Sequence, residues 1–178
     1  MTRLIALVRG INVGSTRKLP MAELRAACAE QGLGTVQTYI QSGNLVLDGD
    51  DPAGTETALE TLIADRFKLD VPVVVRTAAQ WRALIAACPF PIEAEAAPQF
   101  LHLLVCKAPP VAGAEEALGA RAQHGETIAR CGDDLVIHFA GGVGPSKLVP
   151  ALIDRLVGSP ATARNWKTVM ALDTMARA

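Results

Sequence analysis

Residues 35–48 read TVQTYIQSGNLVLD. Two short runs rich in β-branched and aliphatic residues flank Ser42-Gly43, and a glycine supplies at little cost the positive φ that a tight hairpin turn needs. The stretch therefore reads as two strands, 35–40 and 44–48, joined at Ser42-Gly43. Its neighbours give the hairpin its meaning. Upstream, LIALV (4–8) is a short apolar run closed by Arg9-Gly10 and reads as a strand buried on both faces. Pro20 then opens a helix, with Met21, Leu24 and Cys28 on one stripe, and Gly32 and Gly34 stop it. Downstream, Asp51-Pro52 forms the cap and first turn of a second helix, whose buried face carries Leu59, Leu62, Ile63 and Phe67. VPVVVR (71–76) is a β-branched strand with its proline near the start, where a lost donor does least harm. The order β-α-β-β-α-β is that of a ferredoxin-like unit.

The second half repeats most of that order. Thr77 and Gln80 form a capping box, followed by Trp81, Leu84, Ile85 and Cys88 at helical spacing. PFPIEAEAAP (89–98) is an irregular connector and the best boundary. FLHLLVCK (100–107) is a strand and 113–122 a short helix. ETIARC and DLVIHFA form a hairpin around Gly132-Asp133. A helix follows with Leu148, Leu152 and Leu156 on one stripe, and Pro150 offers an alternative start for it. A last helix is expected from about Thr162 to Met175. The expected architecture is α+β, with duplicated ferredoxin-like subdomains (βαββαβ, then βαββα) and a C-terminal helix. Residues 1–77 form the first subdomain, 78–98 a helix and connector, and 99–178 the second α+β subdomain with the C-terminal helix.

The chain has 178 residues, half of them hydrophobic and 20% charged, which is ordinary for a globular protein and enough to build a core without metal or disulfide. The net charge of −1 removes any general polycation argument for nucleic acid, although a local basic patch is still allowed. Cys28, Cys88, Cys106 and Cys131 include no Cys-x-x-Cys pair and read as free thiols in a reducing, cytoplasmic setting. The apolar run between Arg3 and Arg9 is too short for a signal peptide or a membrane span. No membrane partner is expected, and the oligomeric state is not fixed by the sequence.

Three polar segments are candidates for a site. RGINVGSTRK (9–18) links a strand to a helix and carries Arg9, Asn12, Arg17 and Lys18 among glycines; such a loop can offer N–H groups to an anion, or can simply be a connector with solvated cations. It matches neither a Walker loop nor a dinucleotide fingerprint. At the hairpin, Ser42 and Asn44 can bond the turn backbone, whereas the turn has no need of Gln41. Strand alternation would put Tyr39 and Gln41 on one face. TARNWKTV (162–169) crowds Arg164, Asn165 and Lys167 into the start of the expected helix, where cations oppose the macrodipole and an anionic partner would offset them. A weaker fourth segment is GGVGPSK (141–147).

Other chemistry lacks support. His102, His124 and His138 have no metal-ligand spacing, so no metal and no cofactor is expected. No Gly-x-Ser-x-Gly elbow occurs, no acid/base pair is positioned, and a catalytic residue cannot be assigned. Aromatics are 4% of the chain and no stacking run of the RNA-recognition type appears, which argues against nucleic acid without excluding it.

LVRGINVG, LPMAELR, YIQSGN and TARNWKTV, in that order, resemble a bacterial family called domain of unknown function 1697. The resemblance spans nearly the whole chain. It implies a single-chain α+β protein with duplicated ferredoxin-like halves, and no reaction. Its polar motifs fall here on Arg9, Gly10, Asn12 and Gly14, on Gln41, Ser42, Gly43 and Asn44, and on Arg164, Asn165 and Trp166. Ser15 stands where the family often has glycine, and Lys167 where it has asparagine. The expectation is a small anionic, phosphate-bearing ligand held by Arg9, Asn12, Lys18, Gln41, Ser42, Asn44, Arg164 and Asn165, with an enzyme on a nucleotide or sugar phosphate, or a nucleic-acid binder, as the alternatives.

Overall fold

A computed structural model describes residues 1–178. The chain divides into two compact units, Met1–Arg82 with Leu172–Ala178, and Ala83–Ala171. The sequence placed the division across residues 78–98 and the whole C-terminal helix with the second half. The boundary between the two units, from Arg82 to Ala83, falls within that 78–98 stretch, and Leu172–Ala178 group with the first unit.

In the first unit β1 (Thr2–Val8) is central, and the sheet order is β2-β3-β1-β4, all antiparallel, with β2 (Gln37–Tyr39), β3 (Asn44–Gly49) and β4 (Val73–Thr77). Two helices, α1 (Met21–Glu30) and α2 (Pro52–Phe67), supply Leu24, Ala27, Cys28, Leu59, Leu62 and Ile63 to a core with Leu4, Ala6, Val8, Leu45 and Leu47. Each fully buried Leu, Ile or Val among them contributes about 1.5–3 kcal/mol. The intervening Ile5 and Leu7 are buried too, so both faces of β1 are dry. The caps are those the residue types require. Asp51 accepts from Gly54 N at 3.0 Å with Pro52 in the first turn. Thr77 and Gln80 bond each other reciprocally, at 2.8 and 3.1 Å, at the head of α3 (Ala78–Ala86).

The hairpin differs from its reading. Tyr39 pairs with Asn44, so the loop spans residues 40–43 rather than ending in a two-residue turn. Ile40 adopts φ +50, which breaks the pleat and takes Gln41 off the strand face of Tyr39. Gly43 is required for two reasons. Its φ is +83, and a Cβ there would lie 2.9 Å from Val8 Cβ, Val8 O and Ile11 Cδ1. The close approach lets Val8 N donate to Gly43 O at 2.8 Å.

The second unit has α4 (Pro91–Ala96), β5 (Leu101–Cys106), α5 (Ala114–Gly119), β6 (Glu126–Cys131), β7 (Asp134–Phe139), α6 (Pro150–Val157) and β8 (Ala161–Asn165), with sheet order β6-β7-β5-β8. Its core holds Leu104, Cys106, Leu135, Ile137 and Phe139 from the sheet and Leu118, Ile153 and Val157 from the helices. Two expectations need correction. The connector at 89–98 contains a short helix started by Pro91. The second half does not stop at βαββα: residues 161–165 are a fourth strand, paired with β5 from Cys106↔Ala161 to His102↔Asn165. The helix, α7 (Trp166–Arg177), begins only where Asn165 Oδ1 accepts Thr168 N at 3.0 Å. Thr162 and Arg164 are buried while Ala163 is exposed, a period of two that Ser159-Pro160 had masked.

Gly43→Ala combines a left-handed penalty of about 1–2 kcal/mol with overpacking of about 1–3 kcal/mol. Urea denaturation of this variant is expected to show a loss in that combined range. A loss below about 0.5 kcal/mol would mean that the turn does not need its close approach to β1.

Candidate functional site

At the C-terminal end of β1, Arg9 N donates to Pro72 O at 2.9 Å and Val8 N to Gly43 O, so the α2–β4 connector and the hairpin loop flank residue 9. The following loop folds on itself. Asn12 N donates to Arg17 O at 3.0 Å and a single bridge joins Val13 to Thr16, which makes a small projecting hairpin with Val13 at its exposed tip. Asn12 is its anchor. Its Oδ1 accepts Leu19 N at 2.8 Å, and its Nδ2 donates to Leu19 O at 2.9 Å and to Gln41 O at 2.6 Å. One side-chain amide thus closes the loop and ties it to the hairpin turn, so the first two sequence segments meet.

Asn44 is fully buried, and its Nδ2 donates to Tyr39 O at 3.0 Å and to Ser42 Oγ at 2.9 Å. Asn12, Ser42 and Asn44 therefore frame the loops. Arg17, Lys18 and Gln41 are exposed, and Arg9 is half-buried. Residues 9–22 and 36–47 contain Arg9, Arg17 and Lys18 and no carboxylate. Asp48 lies in the far end of β3, and Asp50 and Asp51 follow the strand there. The non-glycine residues with left-handed φ are Asn12, Arg17, Ile40 and Lys68, the last being the C-cap of α2. Three of the four sit in these two loops.

The third segment lies in the second unit. Arg164 is a strand residue that precedes the helix cap, so the expected clash with a helix dipole does not arise. Its guanidinium is buried, and burial pushes its pKa down to about 10. Nη1 donates to Thr162 Oγ1 at 2.7 Å and Ala163 O at 2.9 Å. Asn165 is the helix cap. The first unit has a counterpart that the sequence reading passed over. Arg76 Nη1 donates to the preceding Val75 O at 3.1 Å, and Thr77 caps α3. An Arg followed by a capping residue, at the end of a β-branched run, was the available signal.

Of the fourth segment, Ser146 has a clear role. Its hydroxyl donates to Glu126 Oε1, while Glu126 Oε2 accepts Gln123 N at 3.1 Å and His124 N at 2.8 Å. Burial pushes this carboxyl up, but the bonds from Ser146, His124 and Gln123 outweigh it and leave the pKa below the ordinary value. Elsewhere, burial lowers His102, which packs edge-on against Phe139 at 5.0 Å, and raises Cys28 and Cys131 to about 11. No group of three or more His, Cys, Asp or Glu side chains gathers as a metal site would. A groove of about 380 Å³ runs between α1 and α2 beside the Glu30–Arg66 ion pair, and another of about 350 Å³ is lined by Ile85, Cys88, Pro91, Trp166 and Met170. Neither includes the polar residues of the loops.

The fold is thus a mixed α+β one with two four-stranded antiparallel sheets. Residues 1–135 match the family described as protein of unknown function (DUF1697), and the chain belongs to that family. No curated protein matches it. The chain is similar in structure to the conserved bacterial protein SP0830 from Streptococcus pneumoniae, with 23% identity, a TM-score of 0.76 and 98% of each chain covered. At that identity the likeness speaks for the fold. No helix is long and apolar enough to cross a membrane.

Glu126 gives a pH prediction. Its folded pKa lies below the unfolded value of about 4.3, so its stabilisation is complete above that value and drains away as pH falls through the folded pKa. Glu126→Gln is expected to flatten the dependence of the denaturation midpoint between roughly pH 5 and pH 3. An unchanged slope would show that the carboxylate's bonds do not hold in solution.

Proposed function

We propose that the loop at 9–19 and the turn at 40–43 bind a small anionic ligand bearing phosphate. The observation that carries this reading is the set of three cations on a stretch with no carboxylate, held on a backbone in which Asn12 bonds both Arg17 and Gln41. Left-handed backbone at Asn12, Arg17 and Ile40 supports it, since such strain of about 1–3 kcal/mol per residue gathers at binding and catalytic sites. Arg17, Lys18 and Gln41 are the contacts, with Arg9 behind them. Asn12, Ser42 and Asn44 hold the frame. Arg164 and Asn165 are assigned to strand and cap geometry rather than to the ligand. We also read the two units as ferredoxin-like halves of one duplicated fold. The matching strand orders, and the Arg-plus-cap ends of β4 and β8, support that reading.

Pyrophosphate is the first probe, followed by nucleoside diphosphates and sugar phosphates, by calorimetry and thermal shift. A ligand at a hundred times its Kd stabilises by about 2.7 kcal/mol. The double variant Arg17→Ala/Lys18→Ala removes two charge-assisted contacts of roughly 1.5–3 kcal/mol each, so affinity is expected to fall by more than tenfold while the variant unfolds at the same denaturant concentration. Equal affinity in the variant would refute the site. A steep salt dependence together with a preference for RNA would instead favour a nucleic-acid partner.

A further inference from the structure

The turn at 40–43 carries a side chain that its backbone disfavours. Ile40 adopts φ +50, a left-handed conformation that glycine and asparagine take readily and a β-branched residue takes only as an outlier. Asn12, Arg17 and Lys68 share that conformation, and none of them is β-branched. The bonds on either side of Ile40 impose it. Asn44 Nδ2 donates to Tyr39 O at 3.0 Å, and Asn12 Nδ2 donates to Gln41 O at 2.6 Å. Both fall on main-chain carbonyls of the neighbours, so they hold whichever side chain stands at position 40. That side chain is 52% exposed. Single exposed aliphatics are ordinary on a protein surface. This one is opposed by backbone and by water together, so folding does not call for isoleucine here.

Its surroundings have an order. Gln41 follows it and enters the clamp through its main-chain carbonyl, while its side-chain amide, with two donors and an acceptor oxygen, is exposed. Asn12 then leads to the cations, because its N donates to Arg17 O at 3.0 Å. A Cβ at Gly10 would stand 3.6 Å from Arg17 Nη1, so the guanidinium lies over that glycine, beside Arg9. The turn and loop thus present hydrocarbon, then an amide, then positive charge.

A nucleobase has an apolar face and an edge of hydrogen-bond donors and acceptors, and its phosphates are anionic. We propose that the ligand of the loop site is a nucleotide, with the base face on Ile40, the base edge on the Gln41 amide and the phosphates on Arg17 and Lys18. This inference rests on the anion-binding reading of the same loops. It selects among phosphate-bearing ligands. A sugar phosphate sets hydroxyls against hydrocarbon at Ile40 and gains nothing there, and inorganic pyrophosphate reaches the cations alone. Ile40 is then a specificity residue that contributes to affinity without contributing to the stability of the free protein.

The test is calorimetric titration of the full chain with inorganic pyrophosphate, a hexose phosphate, and adenosine, guanosine, cytidine and uridine diphosphate. At least one nucleoside diphosphate is expected to bind roughly tenfold more tightly than pyrophosphate or the hexose phosphate, the effect of covering two or three methylenes' worth of surface. Ile40→Asn is expected to erase that margin, to leave pyrophosphate affinity unchanged, and to raise the urea midpoint because asparagine accepts the left-handed backbone. Ile40→Leu keeps the hydrocarbon and should keep the margin. A nucleoside diphosphate that binds no better than pyrophosphate, a margin that survives in Ile40→Asn, or a lower urea midpoint for that variant would overturn the nucleotide assignment while leaving the anion site in place. Failure of pyrophosphate and of every nucleoside diphosphate to bind would overturn both.

Discussion

The side-chain amide of Asn12 is the bond on which the candidate site depends. It reproduces a two-point backbone pairing with Leu19, and its remaining donor reaches Gln41. An aspartate of the same shape would lack the donors, and a hydrophobic residue would leave Leu19 N and Leu19 O to find water. The left-handed conformation of Asn12, φ +53, is one that asparagine tolerates better than most residues. The clamp therefore explains why a loop rich in glycine and cations holds one shape, with Arg17 and Lys18 projecting from it.

The same economy of polar groups recurs through both units. At the start of the third strand, Asn44 in the first unit and Asp134 in the second are both buried. Asn44 holds its own turn, and Asp134 accepts Cys106 N at 2.7 Å where the ladder would otherwise end. The final strands are closed on their outer side by carboxylates from the preceding helix, Glu56 and Glu60 in one unit and Asp154 in the other. Each then passes through an Arg that folds back on its own strand, and through a cap, into a helix. A buried donor or acceptor left alone costs about 1–3 kcal/mol, so these residues are accounted for by folding. That leaves the exposed side chains of Arg17, Lys18 and Gln41 as the polar groups of the two loops that folding does not use.

Much of the fold was legible in the sequence because its signals are local. Asp51-Pro52 and the Thr77/Gln80 box mark helix starts by chemistry that operates within four residues, and the apolar stripes of α1 and α2 set their buried faces. What escaped was decided by distant partners. β8 looks helical because Ser159-Pro160 imitates a helix start, and only its pairing with β5 makes 161–165 a strand. The hairpin loop lengthened because Ile40 adopts a conformation that its own propensity disfavours. Of the candidate residues, the sequence identified the right stretch but could not separate frame from contact. Asn12, Ser42 and Asn44 are polar in the sequence just as Gln41 and Lys18 are, and only the bonds they make tell them apart.

The central claim is that the loop at 9–19, pinned to the hairpin turn, forms one anion-binding surface. Chemical-shift mapping of the backbone amides of the full chain during a titration with pyrophosphate tests it most directly. The account predicts saturable shifts of the Arg17, Lys18 and Gln41 amides along a single binding curve, because one clamp holds all three. Shifts confined to the groove between α1 and α2, or a chain that does not respond while remaining folded, would contradict it.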